Sequence, residues 1–590
     1  RHWISDSSTP AFQVPAAPAP VLVPPPAPTP PAPAPAVGGS LDGLRRHLRD
    51  CVAEILAVAV ADIDLDVEMR EYGLDSFNLA QLTTAVNAHD GLDLTVDLFF
   101  GHPTIDQCAR FLWTEYGELL GQGQEPVRAE EPVQIPAPVL APVLAPPPAG
   151  ARPASNEPIA IVGMSAMMPQ SDDLSDFWQH LVTGRELIED IPEDRLHKMG
   201  TSYRGLCEQI QTPTVRGSFL RRVAAFDSLF FGISPREAQL MDPQQRLLLE
   251  TVWKTIEDAG YPASELAGSG VGVFVGVSNH DYSKLYQRML GQPLAHASTG
   301  MMVQSILANR VSYLFDFRGP SEIVDTACSS SAVALHRAVK AIRDGDCDAA
   351  VVGGVNVLLD WHGYAVLRQA GILSADGKVR LFSRDGTGYV RGEGVAAVLL
   401  KPLARALADR DHIYAVIRGS ATNFDGKKYS MTAPSPVAQT KVVAEALAAA
   451  EVNPADICHI EAQGTGSPLG DPVEINAFKG AFRTLHDQWG TRMPEAPLCG
   501  IGYLKPQIGH LEAASGMAAL VKILLAMKHG TVPGTRNLED GEMPALLKGS
   551  PFYMTGDNRP WRGNGARRCA GLHSFGLGGV NAHVVLEDYV

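Results

Sequence analysis

Apolar residues in the middle of the chain are spaced as a strand followed by a helix. A β-rich stretch over residues 321–325 leads into apolar positions with helical spacing, namely Ala332, Val333, Ala334, Leu335, Ala338 and Val339. Small residues fill the turn between them, where Cys328 would meet unpaired backbone N–H groups and the positive end of the helix dipole. We therefore predict a lowered thiol pKa and a nucleophile at neutral pH. The alternative for a lone cysteine is a small buried hydrophobic residue.

Two further patterns predict regular elements. The amphipathic spacing over residues 41–60 predicts the first helix of a small helical unit. Residues 270–276 have the glycine spacing of a dinucleotide-binding loop, but hydrophobic β-formers continue through Val277 and no helix follows the glycines. We therefore predict a buried strand there.

Proline and alanine dominate two stretches of the chain, residues 10–37 and 125–153. This composition is typical of solvated, semi-rigid linkers with polyproline character, and we expect such linkers over residues 1–40 and 116–155. The second holds 40 residues, and at about 3.1 Å per residue it would reach on the order of 120 Å when extended. The folded units are expected over residues 41–115 and 156–590.

Charge and cysteine content argue against several classes of function. A net charge of −16 disfavours a nucleic-acid partner, because such affinity depends on Lys and Arg contacts to phosphate. The eight cysteines show no CxxC spacing, so neither a zinc site nor a disulfide framework is indicated, and we expect a reduced, cytoplasmic setting. The chain has no apolar run of about eighteen residues and no signal-peptide pattern, so we expect no membrane partner.

The sequence around Cys328, DTACSSS, resembles the nucleophile motif of the β-ketoacyl synthases, the condensing enzymes of fatty acid and polyketide assembly. Further blocks follow in the family's order over about residues 157–590: PIAIVGMSAMMP, FFGISPREAQLMDPQQRLLLE, ILANRVSYLFDFRGPS, GYVRGEG, EAQGTGSPLGDPVE, IGHLEAASG and SFGLGGVNAH. The resemblance implies an α/β thiolase fold, with two similar halves layered as αβαβα, and a homodimer.

Members of this family carry a Cys-His-His triad, and the resemblance places its first and last members at Cys328 and His510. Gln463 replaces the middle histidine. In the family, the two histidines hydrogen-bond a malonyl thioester and stabilise the enolate that forms as carbon dioxide leaves. A glutamine amide still donates a hydrogen bond but cannot titrate. Acyl transfer requires fewer groups than condensation does. By family analogy, it needs the Cys328 thiol and the N–H groups of Cys328 and Leu577.

Residues before the last triad member also depart from the family's pattern. Lys505 matches the lysine that relatives have at this position, whereas Pro506 and Gln507 stand where relatives commonly have serine and asparagine. Ser383 and Thr387 stand where an Asp-containing block is usual before GYVRGEG. Several substitutions around one site favour natural loss of condensation over an engineered change.

The segment EYGLDSF resembles the phosphopantetheine attachment site of acyl carrier proteins, with Ser76 as the modified residue. The block LFFGHPTIDQCARFL resembles the end of the carrier fold. This resemblance implies a four-helix bundle with 4′-phosphopantetheine on Ser76, added by a phosphopantetheinyl transferase, with the phosphate against the positive end of a helix. By itself, a serine after aspartate is an ordinary helix cap. Acidic residues of this unit are expected to face basic patches on partner enzymes: Asp62, Asp64, Asp66, Glu68, Glu71 and Asp75.

Together these resemblances imply a fragment of a modular polyketide synthase, and the absence of an acyltransferase block is compatible with an acyltransferase that acts in trans. Its ketosynthase is expected to pass an acyl chain on through Cys328 without extending it. The expected partners are acyl-thioester intermediates and the upstream and downstream carrier domains. Two alternatives stay open: ordinary condensation with Gln463 as a donor, and a catalytically silent scaffold that docks carriers. The retained motif around Cys328 argues against the scaffold.

Overall fold

The structure is a computed structural model. It describes residues 40–56, 58–72, 74, 82, 85–87, 92, 94, 98, 102–117, 156–199, 201–210, 212, 214–290, 303–383, 386–427, 432–467, 470–494, 496–538, 546–563 and 568–589. The chain divides into two compact units, which are described separately. The smaller unit comprises Arg1–Met69 and Asn78–Glu131, and the larger comprises Arg70–Phe77 and Pro132–Val590.

The smaller unit is helical, as predicted. Its helices α1 (Leu41–Leu56) and α2 (Ile105–Tyr116) pack against each other, and a 3₁₀ turn lies at Val60–Asp62. A further 3₁₀ turn, Met69–Tyr72, begins at Met69, after which Arg70–Phe77 are grouped with the larger unit. The apolar face of α1 is buried, which explains its formation from an amphipathic segment. Ser76 and most of the residues between it and His102 lie outside the described residues, so the expected four-helix bundle is tested only by α1 and α2.

The larger unit is a mixed α/β structure. Its strands in the described residues are β1 (Ile159–Met167), β2 (Glu189–Asp190), β3 (Arg216–Ser218), β4 (Val271–Gly276), β5 (Ser321–Val324), β6 (Ala349–Asn356), β7 (Arg391–Gly392), β8 (Gly394–Pro402), β9 (Ala415–Phe424), β10 (Ile457–Ala462), β11 (Cys499–Tyr503), β12 (Thr531–Val532), β13 (Phe552–Tyr553), β14 (Arg559–Pro560), β15 (Cys569–Phe575) and β16 (Val580–Asp588). Strand β4 confirms the predicted buried strand, because all six of its residues are buried.

The helices of the larger unit continue the numbering. Within the described residues they are α3 (Leu174–Thr183), α4 (Glu193–Lys198), α5 (Tyr203–Gln209), α6 (Pro235–Leu240), α7 (Pro243–Asp258), α8 (Ala263–Leu266), α9 (Asp281–Leu290), α10 (Ile306–Phe315), α11 (Ser330–Asp344), α12 (His362–Gln369), α13 (Leu403–Asp409), α14 (Pro436–Ala450), α15 (Gly470–Trp489), α16 (Lys505–Ile508) and α17 (Ser515–His529). Three 3₁₀ turns accompany them, at Ala327–Ser329, Pro454–Asp456 and Glu512–Ala514.

Eleven of these strands form one sheet, in the order β13-β11-β10-β15-β16-β9-β1-β8-β6-β4-β5. The order contains one five-strand arrangement twice. In the first half, β1, β8 and β6 pair antiparallel and β4 and β5 follow in parallel. In the second half, β9, β16 and β15 pair antiparallel and β10 and β11 follow in parallel. The halves join where β1 pairs with β9. The two similar halves expected from the family are therefore confirmed.

Helices form three layers around the two halves of the sheet. Helices α11 and α17 lie in the centre, since each contacts strands of both halves. Helices α7 and α10 cover the outer face of the first half, and α14 and α15 cover that of the second. Strand residues alternate between the central and outer layers, so these strands are apolar on both faces. The result is the expected αβαβα layering.

The two central helices begin in the same way. Each follows a 3₁₀ turn, and the two turns, Ala327–Ser329 and Glu512–Ala514, contact each other. Both turns open with a non-glycine residue in the left-handed region, because Ala327 has a φ of 55° and Glu512 a φ of 47°. The fold therefore brings two equivalent, strained turns to one place at the centre of the larger unit.

Candidate active site

Cys328 lies in the first of these turns, between β5 and α11. The predicted sequence of strand, turn and helix is confirmed. The Asp325 carboxylate holds the turn, since its Oδ1 accepts from the Ala327 N–H at 3.1 Å and from the Ser278 hydroxyl at 2.5 Å. The Thr326 N–H donates to the Ser330 hydroxyl at 2.9 Å. These bonds fix the backbone that presents the thiol.

The Cys328 thiol is harder to ionise than the sequence predicts. Burial, followed by the negative charge of Glu512, raises its pKa to about 11. The charge of Lys505 and hydrogen bonds from the N–H groups of Leu577 and Cys328 oppose this rise without overcoming it. Cys328 is partly exposed and lines a cavity, but burial of its thiol is the largest influence on the pKa. The predicted lowering of the pKa is therefore wrong, and the thiol is the resting form at neutral pH.

His510 lies two residues before the second strained turn and is a neutral donor. Burial, and then the charges of Lys505 and Arg391, hold its pKa well below the usual range. Its Nδ1 accepts from the Glu512 N–H at 3.0 Å, and because an amide only donates, the ring proton is on Nε2. Within the described residues this buried Nε2 has no hydrogen-bond partner. The ring therefore offers an unused N–H.

Gln463 is buried and its amide is oriented by the protein. Its Nε2 donates to the Phe575 carbonyl at 3.0 Å, and its Oε1 lies 3.3 Å from the Ser574 hydroxyl. A carbonyl only accepts, so the nitrogen must face Phe575. The Ser574 hydroxyl also lies 3.3 Å from the Cys328 carbonyl and, having one proton, donates to one acceptor at a time. One N–H of Gln463 remains for a ligand.

Lys505 lies behind Gln463. Its Nζ donates to the Gln463 carbonyl, and burial lowers its pKa although the negative charge of Glu474 opposes this. The Glu474 carboxylate accepts from the N–H groups of Gln463 at 2.7 Å and Gly464 at 3.1 Å, and burial raises its pKa. Lys505 and Glu474 therefore hold the backbone of Gln463, and neither lines the cavity described below.

Three functional side chains could not be singled out from the sequence, namely Glu474, Arg391 and Glu512. Arg391 and Glu512 form a bidentate ion pair, with Nε–Oε1 and Nη2–Oε2 distances of 2.6 and 3.0 Å. Glu512 supplies both the N–H that sets the His510 tautomer and the charge that raises the Cys328 pKa. All three lie inside the blocks GYVRGEG, EAQGTGSPLGDPVE and IGHLEAASG, and only their contacts distinguish them from neighbouring residues.

A cavity of about 710 Å³ brings the predicted residues together. Cys328, Gln463, His510 and Leu577 all line it. The remaining lining is built largely from glycine, alanine, serine and threonine. Its volume lies within the range of about 300–1,000 Å³ that is typical of small-molecule sites. The lining residues and the volume of the cavity fit an acyl thioester carried on a phosphopantetheine arm.

The substitutions before His510 leave that residue in place. Helix α16 contains both of them, and the Gln507 amide donates to the His180 carbonyl at 2.6 Å. The His510 N–H donates to the Val390 carbonyl at 2.7 Å, and its carbonyl accepts from the Gly392 N–H at 2.8 Å. The backbone of His510 is thus fixed on both sides. The altered loop packs against α3 rather than moving the histidine away.

In the described part of the chain, no group of three or more His, Cys, Asp and Glu side chains is placed to hold a metal ion. In the same ranges, no helix is long and apolar enough to cross a membrane. The eight cysteines are free, and Cys328 and Cys207 alone among them are not fully buried.

Three family models match the sequence. The N-terminal domain of beta-ketoacyl synthase matches residues 156–406, and its C-terminal domain matches residues 414–539. A phosphopantetheine attachment site matches residues 46–112, a range that includes Ser76. The matches cover both folded units.

Two polyketide synthases are similar to this chain over most of its length. Polyketide synthase PksN of Bacillus subtilis (strain 168) is 39% identical over 570 residues, and polyketide synthase PksR of the same organism is 36% identical over 565. The alignments cover 94% and 93% of this chain but 10% and 21% of those relatives. The chain therefore spans only a small part of their length.

Solved ketosynthase structures share the fold. The oxazolomycin ketosynthase domain OzmH KS7 of Streptomyces albus JA3453 is 42% identical with a TM-score of 0.67, over 74% of this chain and 75% of that one. The ketosynthase from module 6 of the bacillaene synthase of Bacillus subtilis 168 is 36% identical with a TM-score of 0.65, over 74% and 72%.

Proposed function

Because the chain belongs to the β-ketoacyl synthase family of polyketide synthases and carries a phosphopantetheine attachment domain, we propose that its ketosynthase transfers an acyl chain through Cys328 without extending it. The chain would arrive as a thioester on an upstream carrier and leave as a thioester on a downstream one. Neither the acyl chain nor either carrier is identified by this proposal.

The state of Gln463 carries the proposal. The family uses an imidazole at this position, whereas here an amide is tied to Phe575 and Ser574 and cannot become a cation. Losing one good oxyanion donor typically slows a reaction about a hundredfold to a thousandfold. Decarboxylation of a malonyl group depends on such donors, so we expect this step to be slowed more than acyl transfer.

Acyl transfer draws on groups that remain. In it, the Cys328 sulfur forms a bond to the thioester carbonyl carbon, and the bond from that carbon to the departing sulfur breaks. The thiol proton leaves for water in the cavity, and the departing sulfur takes up a proton. The N–H groups of Cys328 and Leu577 hydrogen-bond the Cys328 sulfur, which supports their proposed role as donors to the developing oxyanion. The His510 Nε2–H is available beside them.

Ordinary condensation is the second candidate. Two observations favour it: Gln463 lines the cavity with one amide proton uncommitted, and His510 retains its donor tautomer. A silent scaffold is supported less well, because the thiol, the two N–H groups and the cavity are all kept together. Acyl loading and β-ketoacyl formation together distinguish acyl transfer, condensation and a silent scaffold.

The carrier domain completes the proposal. Ser76 is expected to hold the phosphopantetheine arm, which supplies the thiol that carries the acyl chain, and a phosphopantetheinyl transferase would attach it. The exposed carboxylates near the 3₁₀ turn Val60–Asp62 suit a basic partner surface. A cytoplasmic homodimer, with malonyl units loaded in trans, is part of the same proposal.

The decisive experiment uses the Ser76→Ala protein, so that an acyl group gained by mass can only report the ketosynthase. Hexanoyl-pantetheine is added, the mass gain is measured by intact-mass spectrometry, and malonyl-carrier is then supplied. We expect loading, return of the hexanoyl group to a free carrier thiol, and no β-ketoacyl product above background. The matched control is Cys328→Ala, which should gain no mass.

Each other result contradicts the proposal in a different way. Efficient β-ketoacyl formation would establish ordinary condensation. Absence of loading in the Ser76→Ala protein would leave the scaffold. Equal loading with and without Cys328 would mean that the nucleophile is another residue.

A further inference from the structure

One buried cation beside the cavity is not used by the proposed transfer. Arg391 begins β7 and is 5% exposed. Its bidentate partner Glu512 lines the cavity, whereas Arg391 is not among the described residues that line it. Arg391 is therefore set back from a bound thioester and contacts a side chain that faces it. Any effect of Arg391 on the reaction must pass through another residue.

The guanidinium of Arg391 is fixed by its surroundings. It lies over the ring of Tyr364, with 4.9 Å between Cζ and the ring centroid. Gly363 leaves room for it, because a Cβ at that position would lie 2.4 Å from Arg391 Nη1. The backbone is held as well, since β7 pairs with β3 at Gly217. A planar guanidinium fixed in this way matches both oxygens of one carboxylate, so it also fixes the position of Glu512.

Arg391 contacts the His510 segment in two ways. Its backbone forms a parallel bridge with His510, which is hydrogen-bonded to Val390 and Gly392 on either side. Its side chain holds Glu512, whose N–H donates to His510 Nδ1 at 3.0 Å. Glu512 has a left-handed φ of 47°, a strained conformation that surrounding contacts must hold. The ion pair is such a contact, and it helps to keep the Nε2–H of His510 available to the cavity.

The same ion pair balances the charge beside the nucleophile. The turn that begins at Glu512 contacts the turn that contains Cys328, and after burial the Glu512 charge is the next cause of the raised Cys328 pKa. The guanidinium hydrogen-bonds both oxygens of this carboxylate. Without Arg391, the full negative charge would act on the sulfur. Asp281 is the other carboxylate that interacts with Arg391, and it is bound by backbone N–H groups of its own.

We propose that Arg391 is a positioning residue for acyl transfer, which acts through Glu512 to hold the His510 donor in place and to neutralise the carboxylate beside Cys328. This inference rests on the proposed transfer through Cys328 and adds a residue to it. Because Arg391 acts through Glu512, its charge should affect the thiol only while residue 512 is itself charged.

The test measures two rates on the Ser76→Ala protein, alkylation of Cys328 by iodoacetamide at pH 8 and loading by hexanoyl-pantetheine. Arg391→Gln leaves the Glu512 charge unbalanced, so we expect both rates to fall, alkylation by about tenfold, the effect of one pKa unit. Arg391→Lys keeps the charge but loses the planar fork, so alkylation should stay within about twofold of the parent while loading falls.

The route through Glu512 is tested in a Glu512→Gln background. Adding Arg391→Gln there should leave the alkylation rate unchanged, because no carboxylate charge remains to be balanced. A further tenfold fall would overturn the inference, since Arg391 would then act on the thiol directly. Loss of structure cannot imitate the expected result, because an opened site would expose Cys328 and speed its alkylation.

The matched control is Arg195→Gln. Arg195 forms a similarly buried bidentate pair with Glu393, at 2.8 and 3.0 Å, and neither is among the described residues that line the cavity. In protein that keeps the circular dichroism of the parent, both rates should equal those of the parent. Unchanged rates in Arg391→Gln, or equal falls in the two variants, would overturn the inference. A parent protein that is alkylated but does not load would refute the proposed function, and the alkylation rates would still decide whether Arg391 acts on Cys328.

Discussion

The raised pKa of Cys328 predicts a reaction rate that climbs steeply with pH. With a pKa of about 11 instead of the ordinary 9.0, the thiolate fraction at pH 8 falls from about one tenth to about one thousandth. Alkylation by iodoacetamide proceeds through the thiolate, so we expect about a hundredfold slower reaction than for a cysteine of ordinary pKa. The rate should increase about tenfold per pH unit between pH 6.5 and 9.5 and should not level off.

The assay follows alkylation of the Cys328 peptide by mass spectrometry under excess reagent, with glutathione in the same tube as reference. Replacing Glu512 by Gln removes the second cause of the raised pKa, so the rate at pH 8 should rise, by about tenfold for each unit that the pKa falls. Glu445→Gln is the matched control, since Glu445 is an exposed residue of α14. It should leave the rate unchanged.

Two results would refute this reasoning. A rate that levels off below pH 8 would mean that the thiol ionises readily, as the sequence pattern alone suggested. A slower reaction in Glu512→Gln, in protein whose circular dichroism matches the parent, would mean that the carboxylate does not oppose ionisation. Glu512→Gln also leaves Arg391 without its partner, which can cost about 3–5 kcal/mol of stability. The pH profile of the unmodified protein tests the prediction independently of that variant.

The other predictions concern the carrier and the position of Gln463. Ser76→Ala should abolish the single mass gain of one phosphopantetheine arm when a phosphopantetheinyl transferase is supplied, and a retained gain would place the arm elsewhere. Gln463→His should raise β-ketoacyl formation about a hundredfold if one missing donor is the whole defect, and continued silence would implicate the loop around Pro506. Glu474→Gln should lower the melting temperature, because its carboxylate accepts two buried N–H groups. An unchanged melting temperature would show that the amide replaces the carboxylate without loss.

Local pattern was enough to predict the elements around the nucleophile. The helical spacing after Cys328 became α11, and the glycine-containing apolar run became β4 rather than a nucleotide loop. The helix predicted over residues 41–60 ends at Leu56, with a 3₁₀ turn beginning at Val60. These features depend on residues close together in the sequence.

The electrostatics of the site depend on residues far apart in the sequence. The Cys328 pKa is set by burial and by Glu512, which no local pattern near the cysteine reveals. The Gln463 amide is fixed by Ser574 and Phe575, more than a hundred residues away. The positive end of the helix dipole does favour the Cys328 thiolate. Burial of the thiol outweighs this effect, and that burial arises only when the two halves of the fold pack together.

The repeated halves divide the chemistry between two copies of one five-strand arrangement. The first copy supplies the nucleophile, while the second supplies both groups at the positions where the family places its histidines, Gln463 and His510. Under the proposed function, mutations in the second copy can therefore remove carbon–carbon bond formation and leave the thiol and its own N–H untouched. A repeated fold of this kind allows one partial reaction to be lost while the groups of the other stay in place.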